Sequence, residues 1–163
     1  MEHLNKFQKI LYIWAVLILI ASLIHQYVTQ DITYQMAAWV IITLVGVFWT
    51  HRYYNQGAAN QKKLEWTWII LMVALFIGNF VAIYVPGMLN LVMPGIWVQW
   101  TVLCAIGYVI TGQMTNWPAM KWGGVASLLF VPLFFIPALF PYQAILYGIT
   151  QAGYLGVLGY MKR

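Results

Sequence analysis

Charge is what this 163-residue chain has least of: Lys, Arg, Asp and Glu together make up 7% of it, and only three are acids. Soluble domains carry roughly a quarter charged residues, so this composition excludes a fully water-exposed surface. Cysteine is almost as scarce. The single Cys104 excludes an intrachain disulfide framework and any CxxC metal or redox motif, and within its apolar run it reads as a small packing residue. The acids Glu2, Asp31 and Glu65 are too scattered for two to share one face. Of the three histidines, His25 and His51 fall near opposite ends of two apolar runs, on the order of 25 Å apart across a bilayer, too far to share a metal within one subunit. There is no P-loop, GxGxxG after a strand, HExxH or GxSxG. Catalysis requires convergent groups that exchange protons, attack or hold a metal. The expectation is therefore a protein that is not an enzyme, with no catalytic residue, metal or cofactor.

What the chain has is hydrocarbon. Hydrophobic residues make up 63% and aromatics 17%, and the mean hydropathy is +0.78. A spanning helix needs about 20 mainly apolar residues. Six segments approach that length, at 10–28, 36–53, 66–85, 96–112, 122–139 and 142–160. The fold class expected is all-α: a polytopic membrane helix bundle of six spans forming one integral membrane domain over 1–163. The first run begins like a secretory signal, but Ala21 and Ser22 are followed by Leu23, Ile24 and His25 without an A-x-A cleavage pattern, so it reads as a retained span.

All eight basic residues fall in connections on one side: Lys6 and Lys9 before the first span, Arg52, Lys62 and Lys63 after the second, Lys121 after the fourth, and Lys162 and Arg163 after the sixth. Cytoplasmic loops carry the excess of Lys and Arg, which predicts both termini in the cytoplasm and a multi-pass protein of the cell membrane. The net charge of +5 is thus topological, since no basic run accompanies it to suggest nucleic acid. The longest basic-side connection contains Gly57, Ala58, Ala59 and Asn60, expected to turn. Interfacial anchoring by amphipathic rings is expected of Tyr53, Tyr54, Trp66, Trp68, Trp117, Trp122 and Tyr160 at the basic side, and of Tyr27, Tyr34, Tyr84, Trp97, Trp100 and Tyr142 at the other.

Helices in lipid associate through small residues and interhelical hydrogen bonds. Candidate seams are Ala74, Gly78 and Ala82 in the third span; Thr101, Ala105 and Gly112 in the fourth; and Gly148, Ala152, Gly156 and Gly159 in the sixth. Such stripes also suit a homo-oligomer or a membrane-protein partner. Pro132 should kink the fifth span, with Pro137 and Pro141 ending it. Internal repetition is weak at residue level, although two halves of three helices in opposite orientation would correspond to an inverted repeat.

Uncharged polar residues inside the spans each need a partner or a wet cavity. His25, Asn79, Gln99 and Gln151, with Trp97 and Trp100 beside them, are the candidate ligand-binding residues; Asn90, Gln143 and Tyr147 lie nearby, and Asp31 or Tyr34 is a candidate partner for His25. The alternative for the amides is interhelical hydrogen bonding. The stretch YVPGMLNLVMPGIW, 84–97, is expected to end the third span at Pro86, begin the fourth at Pro94, and lay its apolar middle along the membrane surface as a candidate lid. The function expected is a non-enzymatic membrane component that binds a small hydrophobic or neutral ligand or accompanies a membrane complex. The alternative is a small oligomeric transporter or channel for an uncharged solute.

Overall fold

In hydrocarbon every backbone N–H and C=O must find its partner within the protein, and long uncharged runs achieve this as helices. The computed structural model describes residues 2–28, 31–54, 61–85 and 89–161, and these are all-helical with no strand among them. The order is α1 (Glu2–Leu23), continued by a wide π-turn over Ile24–Val28; α2 (Ile32–Tyr54); α3 (Gln61–Tyr84); α4 (Leu89–Met114); α5 (Pro118–Ser127), continued as a 3-10 helix over Leu128–Phe135; a second 3-10 segment, Pro137–Tyr142; and α6 (Gln143–Met161). Among the described residues, five stretches are long and apolar enough to cross a membrane: Phe7–Val28, Ile32–Arg52, Lys62–Val81, Ile96–Met114 and Pro118–Phe135. The sixth expected span, α6, has the length, 19 residues. Gly148, Gly153, Gly156, Gly159, Gln143, Thr150 and Gln151 dilute its hydropathy.

Local chemistry accounts for the helix ends. Asp31 Oδ1 accepts the Thr33 N–H at 2.8 Å and caps the start of α2. At the end of α4, Trp117 N–H reaches Gly112 O at 2.8 Å and Asn116 N–H reaches Gln113 O at 3.3 Å. Asn116 takes φ 50, a left-handed closure of the last turn that Asn tolerates, and Pro118 then opens α5. Pro132 removes one helical hydrogen bond, and the chain tightens to 3-10 from Leu128 onward rather than bending at one point.

Helix α4 begins at Leu89, before the stretch apolar enough to span a membrane, which starts at Ile96 as expected. Pro94 thus lies inside a helix, where its fixed φ fits and one hydrogen bond is lost. Pro86 and Gly87, like the expected turn at Gly57–Asn60, lie outside the described residues.

The chain forms two compact units, one of Met1–Gly57 with Ala144–Arg163 and one of Ala58–Gln143. The first unit contains α1, α2 and α6; the second contains α3, α4 and α5. Their exposed surfaces are apolar: Ile41, Leu44 and Phe48 on α2, and Ile70, Val73, Ile77 and Phe80 on α3, all stand on them.

Within each unit the first two helices are fastened by the same device. In the first, Trp14 Nε1 donates to Thr50 Oγ1 at 2.8 Å, and Thr50 Oγ1 donates in turn to Gly46 O at 2.8 Å. In the second, Trp68 Nε1 donates to Thr111 Oγ1 at 3.0 Å, and Thr111 donates to Gly107 O at 2.7 Å. At the far end of each pair the direction reverses: Trp39 Nε1 on α2 donates to His25 Nδ1 at 3.4 Å, and Trp100 Nε1 on α4 donates to Asn79 Oδ1 at 3.1 Å.

The spacings match as well as the bonds. Eleven positions separate Trp14 from His25, Trp68 from Asn79, Trp39 from Thr50 and Trp100 from Thr111, and seven separate Trp39 from Gly46 and Trp100 from Gly107. The chain thus carries a direct repeat of a tryptophan-clasped hairpin. This replaces the expectation of weak repetition; the repeated element is a pair of helices running in the same chain direction both times.

Candidate functional site

The six candidate residues divide between the two units: His25 and Gln151 belong to the first, and Asn79, Trp97, Gln99 and Trp100 to the second. In the second unit the polar groups are consumed by packing. Asn79, 3% exposed, holds the indole of Trp100, 4% exposed. Phe76 presents its edge to that indole, ring centroids 6.0 Å apart at 88°. Gln99 Nε2 donates to Ala74 O at 3.4 Å, and its amide lies where Gly78 has no side chain. Gln143 Nε2 donates to Phe134 O at 2.7 Å, securing the strand of 3-10 turns that precedes α6.

Trp97 and Trp100 are buried, and Trp68 is bonded to a neighbouring helix, so these three are packing residues rather than exposed rings. Trp66, Trp122, Tyr27, Tyr34, Tyr84, Tyr142 and Tyr160 are exposed as anchors should be. The seam on α4 is real, with Thr101 and Ala105 buried and Gly112 against the Lys121 backbone.

The first unit is built differently. The π-turn of α1 carries His25, whose ring accepts from Trp39, while Gln35 Nε2 donates to the His25 carbonyl at 3.1 Å. Trp39 is thus one partner of the ring, though it was not among the candidates, Asp31 and Tyr34. Tyr34 is 68% exposed. Wide π-turns recur at functional positions because they realign carbonyls, and here the realigned carbonyl is held by a glutamine of the next helix.

Helix α6 closes the unit. Gln8 Nε2 donates to Gly159 O at 2.9 Å. Gly148 lies so close to Ser22 that a Cβ there would collide with the serine Cβ and Oγ. The small-residue stripe is thus used only in part, since nothing lies within 4 Å of a Cβ placed at Gly156. Tyr147, 1% exposed, sets its ring against Trp39, centroids 6.0 Å apart at 69°.

The repeat shows what is special here. Ser22 stands eight residues after Trp14, as Phe76 stands eight after Trp68. In the second unit the aromatic neighbour of the clasp tryptophan is Phe76 of the same hairpin. In the first, Tyr147 of α6 supplies that ring, and a hydroxyl replaces the phenyl group. One turn beyond Gly148 on α6, Gln151 is fully buried. Ser22 Oγ, Gln151 Nε2 and Gln151 Oε1 have no hydrogen-bond partner among the described residues. A primary amide offers two donors and an acceptor, and leaving such a group buried and unsatisfied costs about 1–3 kcal/mol. The unit therefore presents an unused amide and an unused hydroxyl on two helices that meet at Gly148 and Ser22. Sequence reasoning identified Gln151 but not Ser22, which it read only as part of a failed cleavage site.

Comparison with protein-family models, with curated protein sequences and with solved structures finds no match.

Proposed function

We propose that this chain is a non-enzymatic multi-pass membrane protein of the cell membrane that binds a small uncharged ligand in its first unit, through Gln151 and Ser22. One observation carries the reading: a fully buried amide, both of whose polar atoms lack partners. Uncharged buried groups favour a neutral molecule with a donor and an acceptor, and the Trp39–Tyr147 pair favours one with an apolar face. Asn79, Gln99 and Trp100 serve as interhelical fastening in this reading, and accompanying a larger membrane complex is compatible with it.

The test is a thermal-shift titration of the purified protein with acetamide, urea, glycerol and butanol. At least one should raise Tm saturably, by the equivalent of about 2.7 kcal/mol at a hundred-fold excess over Kd, and Gln151→Leu should abolish the shift. No shift with any of the four, or a shift that survives Gln151→Leu, would refute the proposal. The same solutes in a proteoliposome uptake assay separate binding from transport: entry faster than in protein-free vesicles would replace this reading with that of a transporter.

The basic residues further support an orientation with both termini in the cytoplasm. Because Cys104 is buried, a cysteine introduced at Lys162 should react with an impermeant maleimide only after the membrane is opened from the cytoplasmic side. Labelling of intact cells would reverse the orientation.

A further inference from the structure

A second place on the molecule has chemistry that neither the clasps nor the Gln151 site uses. At the lysine end of the second unit, the first turns of α3 and the last turn of α4 border an open cleft of about 610 Å³, lined by Lys62, Lys63, Trp66, Thr67, Ile70 and Met114. Lys62 and Lys63 are exposed, and neither ammonium has an ion-pair partner among the described residues. They occupy the first turn of α3, which contains no acid. The partial positive charge of a helix N-terminus disfavours cations there, so the pair does not serve helix stability. Thr67 spends its hydroxyl on Lys63 O at 2.9 Å, which leaves the ammonium groups as the free polar contacts. Trp66 and Ile70 are 60% and 63% exposed, and with Met114 they continue the cleft as an apolar wall toward the middle of the span.

We propose that this cleft binds an anionic phospholipid, its phosphate between Lys62 and Lys63 and its acyl chain along Trp66, Ile70 and Met114. The two ammonium groups give the mouth of the cleft the positive charge that attracts a phosphodiester anion, and the change from ammonium to hydrocarbon along the cleft matches the change from headgroup to tail. An inorganic anion would use the lysines and leave the apolar wall uncovered.

The experiment is native mass spectrometry of the full chain released from mixed micelles, with phosphatidylglycerol or phosphatidylcholine added. Phosphatidylglycerol should bind roughly 10- to 30-fold more tightly than phosphatidylcholine, from the attraction of two lysines. Lys62→Gln with Lys63→Gln should remove that preference, Lys62→Arg with Lys63→Arg should keep it, and Lys121→Gln should leave it unchanged. Millimolar inorganic phosphate should not displace the lipid. Equal binding of the two lipids, an equal loss in Lys121→Gln, or displacement by free phosphate would overturn the proposal. Lys62 and Lys63 are exposed and Lys121 half-buried, so unchanged helicity and Tm confirm that folding is intact in each variant.

Discussion

Gly107→Ala and Gly46→Ala are each expected to destabilise the protein by about 1–3 kcal/mol, the range for forcing extra volume into a packed contact. A Cβ at Gly107 would lie 2.6 Å from the outer ring of Trp68, and one at Gly46 2.6 Å from the outer ring of Trp14. An indole is rigid, and each of these is tied through its N–H to the threonine one turn further on. It can make room only by giving up that bond, and interhelical side-chain bonds in membrane proteins average about 0.6 kcal/mol and reach about 1.7. Trp68→Phe should largely rescue Gly107→Ala, and Trp14→Phe should rescue Gly46→Ala, because phenylalanine lacks the colliding carbons. Gly153→Ala and Gly156→Ala are the controls. With nothing within 4 Å of the new methyl group, they should be neutral or stabilising by about 0.5–1 kcal/mol, the helix preference of alanine. Unfolding in mixed micelles measures all of these. Equal effects at the four glycines would show that the clasps do not fasten the hairpins.

Gln151→Leu is expected to leave the ligand-free protein as stable as before, or to stabilise it by about 1–3 kcal/mol, the cost of an unsatisfied buried amide. Leucine is close to glutamine in volume and brings no polar atom into a fully buried position. Asn79→Leu should do the reverse and lose about 1–3 kcal/mol, because it leaves the Trp100 indole N–H buried with its partner removed. The two changes are alike in chemistry: each puts leucine where a buried amide was. Their opposite expected signs come only from what each amide is bonded to.

Composition and apolar run length were enough to read an all-helical chain of six elements, since both express a single physical demand, a satisfied backbone in hydrocarbon. The burial of Cys104, Thr101 and Ala105 was legible for a related reason: small residues at helical spacing admit a close neighbour. Anchoring and clasping both suit a tryptophan near the end of an apolar run, and for Trp68 and Trp100 only the bonded partner shows the clasp. Those partners stand at eleven-residue spacings that a search for one fixed period does not pick out. The repeat's first helices are offset by 54 residues, from Trp14 to Trp68, and its second by 61, from Trp39 to Trp100, so no single period aligns both. The site in the first unit was half legible. Gln151 stands out in any apolar run, whereas Ser22 acquires meaning only when Phe76 is seen in its place in the other hairpin.

The account rests on Gln151 being a binding group rather than a fastening. The most direct test is the unfolding free energy of Gln151→Leu and Asn79→Leu beside the parent chain, in the same micelles and without added solute. The account predicts that Asn79→Leu falls by about 1–3 kcal/mol while Gln151→Leu holds or rises. A fall in Gln151→Leu matching that of Asn79→Leu would contradict it.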